Sequence, residues 1–370
     1  MARNDVAIYS PEASALYERD LFVTGGAEQQ TVMLAEQLAA RGLRSAHVVL
    51  PVETVRDLPA RLEVVQRGDY AGPRKLIGKP EETRRVWRFC RDADAHTYVI
   101  RGAWPALGVV AAFCGRYGRR LVFACSSDRN FYMDAYARGL KRIDIGLFKR
   151  GARRSDAIVA QTGHQVALAQ VAFPSVGRII EIPSFAETAE LSTAEPEAFL
   201  WTGRLIDYKN PHAYVELARA VPEARFWMIP KFVDEDVEAG RWVTEAAREL
   251  PNLELLDQRP RPELMALVGR SVAIVNTSPR EGMPNLFLEG WARGIPALSF
   301  EFDPDGRIAD HGLGEFAEGS PERFAQAARE LWEGRGDRAA LSKRVRSYLE
   351  ETHSFAAVAD RWMELLEALR

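Results

Sequence analysis

Short apolar runs alternate with amphipathic stretches along the whole chain, a pattern typical of parallel sheets whose strands are joined by helices. In the first half the apolar runs predict strands at Val6–Tyr9, Ala46–Leu50, Tyr98–Ile100, Leu121–Cys125, Ala157–Ala160 and Arg178–Ile182. After an interruption they predict strands at Phe199–Thr202, Phe226–Ile229, Leu253–Leu256, Val272–Asn276 and Ala297–Phe300. Helices are predicted at Glu28–Arg41, Pro321–Glu333 and Ser354–Leu369, with typical helix starts at Asn210-Pro211 and Ser320-Pro321. The pattern therefore predicts two α/β domains of similar size.

The interruption at Phe185–Glu197 has few large apolar residues and is predicted to be a linker. A chain of 370 residues also suits two domains. We expect an N-terminal domain at residues 1–185 and a C-terminal domain at residues 198–354.

Composition and charge narrow the class of protein. Hydrophobic residues make up 47% and charged residues 27%, which excludes disordered and fibrous chains. Lys and Arg number 49 against 52 Asp and Glu, so no overall charge attracts nucleic acid or an anionic membrane. The start of the chain has no apolar signal segment, and its three cysteines have no C-x-x-C spacing. We therefore expect a soluble protein of the reducing cytoplasm, without nucleic acid as a partner.

The segment Pro279–Phe300 carries the most informative pattern. A buried-type strand ends before it, Glu281 and Gly282 turn the chain, and a helix is predicted from Asn285 to Gly294. The free backbone amides around Met283–Leu286 would form a helix start suited to a phosphate. Glu289 lies one helical turn further along and would accept hydrogen bonds from the hydroxyls of a ribose. Glu281 would face the group that is attached beyond the phosphates. The alternative is that both glutamates only favour the positive end of the helix and the surface.

A second pattern lies at Trp201–Asn210. Gly203 ends the first strand of the second domain, and Arg204 and Lys209 flank the loop that follows. Two cations at a strand end suit a diphosphate and would stabilise it as a leaving group. An ordinary exposed loop is the alternative.

A third, weaker pattern is the loop with Gly25 and Gly26, which leads into the helix at Glu28. Glycines let the backbone approach a ligand closely at a helix start. The loop is not a G-x-G-x-x-G motif, which argues against an enzyme that uses nicotinamide or flavin.

Taken together, these three motifs resemble glycosyltransferase family four, retaining enzymes of the GT-B fold. The resemblance implies an α/β protein of two facing, doubly wound Rossmann-like domains with a cleft between them. It implies a nucleotide-diphosphate sugar as co-substrate, UDP- or GDP-linked, and neither a metal nor another cofactor. It also implies that the last helix, residues 355–370, packs back on the N-terminal domain, which takes the acceptor.

The resemblance assigns roles to the motif residues. Arg204 and Lys209 would bind the diphosphate, Glu289 the ribose and Glu281 the transferred sugar. The supporting donor contacts would come from Gly25, Gly26, Gly203, Gly282, Met283, Pro284, Asn285 and Leu286, with Asp257, Gln258 and Arg259 beside the base.

One feature of the family is missing from this sequence. Many members have a histidine near the reacting sugar, but the matching stretch, Phe123–Asp128, has none. We expect Ser126 or Asp128 to line the site instead. The alternative for Asp128 is that it caps a helix before Phe131.

Other charged patterns are assigned to the surface. Three D-x-D triplets begin at Asp92, Asp234 and Asp303, and we expect solvated charges there and no metal site. The basic stretch Arg129–Arg154 would be an acceptor surface for an anionic or lipid-linked substrate or a weak membrane contact. The alternative is an amphipathic helix packed on the sheet.

The sequence thus predicts transfer of a sugar, with retention, to a hydroxyl of a carbohydrate, lipid-linked or small-molecule acceptor. Such a reaction belongs to the biosynthesis of glycans, glycolipids or secondary metabolites. The alternatives are a GT-B sugar-nucleotide epimerase, a phosphorylase, or a non-catalytic subunit that binds a sugar nucleotide.

Overall fold

A computed structural model describes residues 2–18, 26–52, 55–66, 80–132, 142–232 and 237–370. The chain divides into two compact units. Unit 1 comprises Met1–Phe185 together with Phe355–Arg370, and unit 2 comprises Ala186–Ser354. Each unit is built around its own sheet.

Unit 1 contains a seven-stranded, wholly parallel sheet in the order β3-β2-β1-β4-β5-β6-β7. Its strands are β1 (Asn4–Tyr9), β2 (Ser45–Val49), β3 (Leu62–Gln66), β4 (Ala95–Arg101), β5 (Arg120–Ala124), β6 (Ala157–Ala160) and β7 (Ile179–Glu181). The strand order reverses between β1 and β4, and in such doubly wound sheets ligands bind outside the carboxyl ends of the strands. The edge strand β3 was not predicted, because only Leu62 among its five residues is buried.

Helices cover both faces of this sheet. They are α1 (Gly26–Ala40), α2 (Pro80–Ala93), α3 (Ala106–Tyr117), α4 (Arg142–Arg153), α5 (Gly163–Ala172) and the C-terminal helix Phe355–Ala368, with short 3-10 helices at Pro11–Tyr17 and Asp128–Asn130. On one face, Leu38 of α1 and Trp362 of the C-terminal helix are buried in one core cluster. On the other face, Phe113 of α3 and Phe148 of α4 are buried in a second. Burial of apolar surface on both faces explains why these strands are apolar throughout.

Two glycines let α3 and α4 approach closely. A Cβ on Gly108 would lie 2.4 Å from the carbonyl oxygen of Leu147, and a Cβ on Gly151 would lie 2.5 Å from the carbonyl carbon of Leu107. The two helix backbones therefore touch at these positions.

Unit 2 contains a six-stranded parallel sheet in the order β10-β9-β8-β11-β12-β13. Its strands are β8 (Ala198–Arg204), β9 (Phe226–Lys231), β10 (Leu253–Leu255), β11 (Ser271–Asn276), β12 (Ala297–Ser299) and β13 (Gly314–Phe316). The order reverses between β8 and β11, so the carboxyl ends of these two strands mark the expected ligand position. The three-residue edge strand β13 was also missed by the sequence pattern.

The helices of unit 2 are α6 (Pro211–Ala220), α7 (Val237–Glu249), α8 (Arg261–Gly269), α9 (Asn285–Trp291), α10 (Arg307–His311), α11 (Pro321–Glu333) and α12 (Ala339–His353), after which Phe355–Ala368 is α13. Short 3-10 helices lie at Asp207–Lys209, Pro304–Gly306 and Gly334–Gly336. The predicted helix starts are confirmed: the side chains of Asn210 and Ser320 accept bonds from the amides of Ala213 and Arg323, each at 3.2 Å. Each cap is followed by a proline at the first helical position.

The predicted linker has neither helix nor strand over residues 182–197, but it is not a loose tether. The amide of Ser192 donates to the carbonyl of Arg293 at 2.9 Å, and its hydroxyl donates to the carbonyl of Gly269 at 2.7 Å. Glu197 forms an ion pair with Arg270 at 2.6 Å. Backbone bonding, which its polar composition does not reveal, therefore holds this segment along unit 2.

None of the helices in the described part of the chain is long and apolar enough to cross a membrane.

Candidate functional site

The candidate site begins where β8 ends. Arg204 is the last residue of this strand, and the 3-10 helix that follows brings Lys209 back towards the sheet edge. The hydroxyl of Thr277, just after β11, donates to the carbonyl of Lys209 at 2.7 Å and accepts from the indole of Trp201 at 2.9 Å. A buried residue of β8 and the loop after β11 thereby fix the backbone of Lys209.

Lys209 and Glu281, which lie 72 positions apart in the sequence, form an ion pair between Nζ and Oε1. Their side chains are 26% and 16% exposed, so both remain within reach of a ligand from solvent. The phenol of Tyr208 donates to the carbonyl of Arg280, which joins the two loops a second time. The structure therefore brings two of the predicted site residues into direct contact.

Arg204 is placed differently from Lys209. Its side chain is exposed, and within the described ranges it has neither a hydrogen bond nor an ion pair with another side chain. A guanidinium without an internal partner keeps all five of its N–H donors for an anion. Gly203, before it, is partly buried against the ring of Trp201, which a Cβ on Gly203 would approach to 3.2 Å.

Unpaired backbone amides lie next to Glu281. Gly282 and Met283 are buried, Pro284 precedes the first residue of α9, and Leu286 follows. Among the residues that the structure describes, the amides of Gly282, Met283 and Leu286 have no hydrogen-bond acceptor. These donors are therefore available to a ligand.

Helix α9 is anchored against the sheet. It is seven residues long and buries Phe287 and Trp291. A Cβ on Gly290 would lie 2.7 Å from Cγ1 of Ile274 in β11, so only glycine allows this approach. The helix position, and with it that of Glu289, is set by core packing.

Glu289 lies in an acidic and basic cluster that the sequence did not predict. Its Oε1 accepts from Nη1 of Arg261 at 2.6 Å, and Nη2 of Arg261 pairs with Glu187 at 3.2 Å. Burial alone lowers the pKa of Arg261, but the charges of Glu289 and Glu187 outweigh it and the pKa is raised. Arg261 begins α8, far from Glu289 in sequence, so no spacing rule could have revealed it.

The predicted base loop lies after β10. The side-chain amide of Gln258 donates to the carbonyl of Pro230 at 3.0 Å, and Arg259 pairs with Glu263 at 3.2 Å. Asp257 is exposed. Gln258 and Arg259 thus stabilise the loop itself.

Two candidates of unit 1 are held by internal bonds. The amide of Ser126 donates to the side-chain oxygen of Asn130 at 2.8 Å. Asp128 is buried and accepts from the side-chain amide of Gln165 at 3.0 Å. The idea that Asp128 caps the following helix is wrong, because Ser127 occupies the cap position and Asp128 is the first helical residue. Its carboxylate points into unit 1, where it accepts the hydrogen bond from Gln165.

The glycine loop can be described only in part. Gly25 lies outside the described residues, and Gly26 is the exposed first residue of α1.

Two of the three D-x-D triplets have structural partners. Asp94 pairs with Arg119 at 2.8 Å, and Asp303 accepts from the amides of Ile308 and Ala309 at 2.8 and 3.1 Å. The triplet at 234–236 lies outside the described residues. Among the residues that the structure describes, no group of three His, Cys, Asp or Glu residues is arranged to hold a metal ion.

The basic stretch is also described only in part, since 133–141 lie outside the described residues. Its later half is α4, which buries Phe148, Gly151 and Ala152. This half is an amphipathic helix packed in the core of unit 1, as the alternative interpretation predicts.

Comparisons with known proteins give the class. Residues 25–184 match the family profile described as a glycosyl transferase 4-like domain. Glycosyltransferase 1 domain-containing protein 1 of Xenopus tropicalis is 24% identical over 124 residues, which are 34% of this chain and 36% of that protein. The chain therefore aligns with about a third of the length of this relative.

Solved structures match along nearly the full length. Sucrose-phosphate synthase from Thermosynechococcus elongatus has a TM-score of 0.81 at 14% identity and covers 99% of each chain. Anabaena HepE with UDP-glucose has a TM-score of 0.71 at 14% identity, covering 99% of this chain and 100% of its own. Staphylococcal TarM with UDP and α-GlcNAc-glycerol has a TM-score of 0.74 at 10% identity, covering 98% and 99%.

Two parallel Rossmann-like sheets and these matches define the fold as GT-B, that of a class of glycosyltransferases. Within that class, residues 25–184 match a glycosyl transferase 4-like domain, so the resemblance to family four is confirmed.

Proposed function

We propose that this protein is a retaining glycosyltransferase that uses a nucleotide-diphosphate sugar, with UDP as the nucleotide. The observation that carries the proposal is the ion pair between Lys209 and Glu281, beyond the carboxyl ends of β8 and β11. Arg204 ends β8, and the nearby backbone amides have no acceptor among the described residues. The complexes of HepE with UDP-glucose and of TarM with UDP support the choice of nucleotide.

The charges of the site suit a sugar diphosphate. Such a donor carries one negative charge on each phosphate, and Arg204 and Lys209 offer two cations. Arg204 is free to bind before any rearrangement, because no described side chain occupies its guanidinium. Charge-assisted bonds to phosphate oxygens are about twice as strong as neutral ones. As the bond to the sugar breaks, charge builds up on the diphosphate and the same two cations stabilise it.

Glu281 and Glu289 have different tasks in this proposal. Glu281 is held by Lys209 through Oε1, and its other carboxylate oxygen would accept a hydrogen bond from a hydroxyl of the transferred sugar. Glu289 is held by Arg261 through Oε1 and would accept hydrogen bonds from the ribose hydroxyls. The amides of Gly282, Met283 and Leu286 would donate to sugar and phosphate oxygens.

Retention is proposed on chemical grounds. Glu281 is engaged by a lysine, and Asp128 is buried on Gln165, so neither is a free nucleophile. A front-face reaction needs none: the acceptor hydroxyl enters on the side from which the diphosphate leaves and gives its proton to a phosphate oxygen. The protein then acts by positioning and by stabilising the leaving group.

The proposed acceptor is a carbohydrate, a lipid-linked sugar or a small molecule with a free hydroxyl. TarM in complex with α-GlcNAc-glycerol supports this range. The free, buried state of Cys90, Cys114 and Cys125 supports a reducing compartment such as the cytoplasm.

The test is a thermal-shift screen with UDP- and GDP-sugars, followed by acceptor screening and NMR of the product anomer. A bound donor raises the melting temperature according to its dissociation constant. We expect a UDP-sugar to give the largest shift and the product to keep the donor's anomeric configuration. An inverted product would refute the retaining mechanism.

The same screen separates the alternatives. An epimerase would convert the sugar nucleotide without an acceptor. A non-catalytic subunit would bind the donor but show no turnover with any acceptor, so Glu281→Ala would change only the affinity for the donor.

A further inference from the structure

The side chain of one arginine in unit 1 has no hydrogen-bond or ion-pair partner among the described residues. Arg101 is the last residue of β4, at the carboxyl edge of the sheet. Its Nε is buried and has no hydrogen-bond partner. Throughout the described residues its guanidinium also has no ion pair.

The surroundings of Arg101 confirm that its charge is unmatched. The carboxylate that acts on it is Glu28, in the first turn of α1, and it lies beyond ion-pair distance. Besides Arg101, the polar residues that line the small cavity beside it are Gln30 and Thr31, and no carboxylate of the described residues lines it. Burial lowers the pKa of Arg101 to about 10, and the carboxylate of Glu28 offsets only part of this effect.

A buried cation without a counter-charge costs free energy of folding. Proteins keep such groups where a ligand supplies the missing charge, and strongly shifted pKa values cluster at functional sites. Arg101 can meet a ligand, because the residue is partly exposed and its terminal nitrogens are not among the buried unpartnered atoms.

The local backbone brings further polar groups to this strand end. Gly102 has φ +87°, and a Cβ there would lie 3.1 Å from the indole nitrogen of Trp104 and 3.3 Å from the hydroxyl of Ser126. The indole donates to the carbonyl of Arg101 at 2.9 Å, which fixes the backbone of the arginine. The hydroxyl of Ser126 lies at the end of the neighbouring strand, so a ligand on this edge meets a cation and a hydroxyl.

We propose that Arg101 binds an oxyanion, a phosphate or carboxylate group carried by the acceptor. The assignment to the acceptor rests on the proposed function, in which Arg204 and Lys209 of unit 2 already match the two charges of the donor diphosphate. Arg101 lies in unit 1, so its positive charge would pair with the second substrate, the acceptor. The acceptor is therefore a phosphorylated or acidic molecule rather than a neutral sugar.

The test uses the full-length chain and inorganic phosphate as the probe. The variants are Arg101→Met and Arg101→Gln, with Arg116→Gln on the exposed side of α3 as the matched control. All are made in an Arg204→Ala background, which weakens the binding of phosphate at the proposed donor site. Phosphate binding is followed by the rise in melting temperature over a titration.

We expect both Arg101 variants to bind phosphate at least tenfold more weakly than their parent, and the control to stay within twofold. We also expect the unliganded melting temperature of Arg101→Met to be equal to or higher than that of its parent, since an unmatched charge has been removed. An arginine with a merely structural role would lower it instead.

Three results would overturn the proposal: no phosphate binding by the parent, unchanged binding by both Arg101 variants, or a lowered melting temperature with binding retained. With Arg204 intact, a tenfold loss of UDP affinity in Arg101→Met would overturn the assignment to the acceptor. Phosphate binding needs no turnover, so this test and that of the transferase activity can fail independently.

Discussion

The ion pair between Lys209 and Glu281 gives the sharpest prediction about nucleotide binding. In the donor-free protein Glu281 holds the ammonium group that is proposed to bind the diphosphate. Glu281→Gln removes the competing charge without changing the size of the side chain. UDP lacks the transferred sugar that Glu281 is proposed to contact, so this variant should bind UDP more tightly than the wild type.

The magnitude follows from the exposure of the pair. Solvent-exposed ion pairs contribute about 0.2–1 kcal/mol. The two side chains here are 26% and 16% exposed, which places this pair near the upper end of that range. Release of about 1 kcal/mol corresponds to about a fivefold gain in UDP affinity. Turnover with a complete donor should fall, because the contact with the transferred sugar is weakened.

The assay is calorimetric titration of UDP into a double-mutant cycle of Glu281→Gln and Lys209→Met. The lysine variant should bind UDP at least tenfold more weakly, and adding Glu281→Gln to it should restore little, since no ammonium remains to release. If Glu281→Gln weakened UDP binding, or strengthened it equally with and without Lys209, the competition between carboxylate and diphosphate would be refuted.

Three further predictions concern other parts of the chain. Arg261→Met should raise the KM for donor about tenfold with a smaller effect on kcat, because Glu289 loses the bond that orients it, and Arg261→Lys should restore part of the loss in steady-state kinetics. His47 is buried and its pKa is lowered to about 3, so unfolding takes up a proton between about pH 6.5 and 3, and stability falls with decreasing pH by about 1.4 kcal/mol per unit. In denaturant titrations at several pH values, His47→Asn should remove that slope, and an unchanged slope would contradict the assignment. Gly151→Ala should destabilise the protein by about 1–3 kcal/mol through its backbone clash, whereas Gly146→Ala, on the same helix with open space around it, should stabilise by about 0.5–1 kcal/mol. Equal effects of the two substitutions would contradict the close packing of α3 and α4.

The apolar periodicity located the buried strands well, because strands covered on both faces are apolar throughout. Ala157–Ala160 was predicted with the bounds that the structure shows, and so was the helix Pro321–Glu333. The misses were β3 and β13, both at sheet edges. β3 has a single buried residue and β13 has none, so these two strands carry little apolar signal in the sequence.

The candidate site was only partly visible in the sequence. Motifs within one strand-loop-helix segment could be read from spacing, which is how Glu281 and Glu289 were found. The pairing of Glu289 with Arg261, and the isolation of Arg101, depend on which segments the sheet brings together. Spacing carries no such information, because these residues come from separate elements.

The central claim is that Arg204 binds the donor diphosphate, and calorimetric titration of UDP into Arg204→Ala tests it most directly. Charge-assisted hydrogen bonds contribute about 1.5–3 kcal/mol, so the account predicts about a 10- to 100-fold loss of affinity. The matched control is Arg241→Ala, an exposed arginine of α7, which should bind UDP as the wild type does. Wild-type affinity in a folded Arg204→Ala protein would contradict the account.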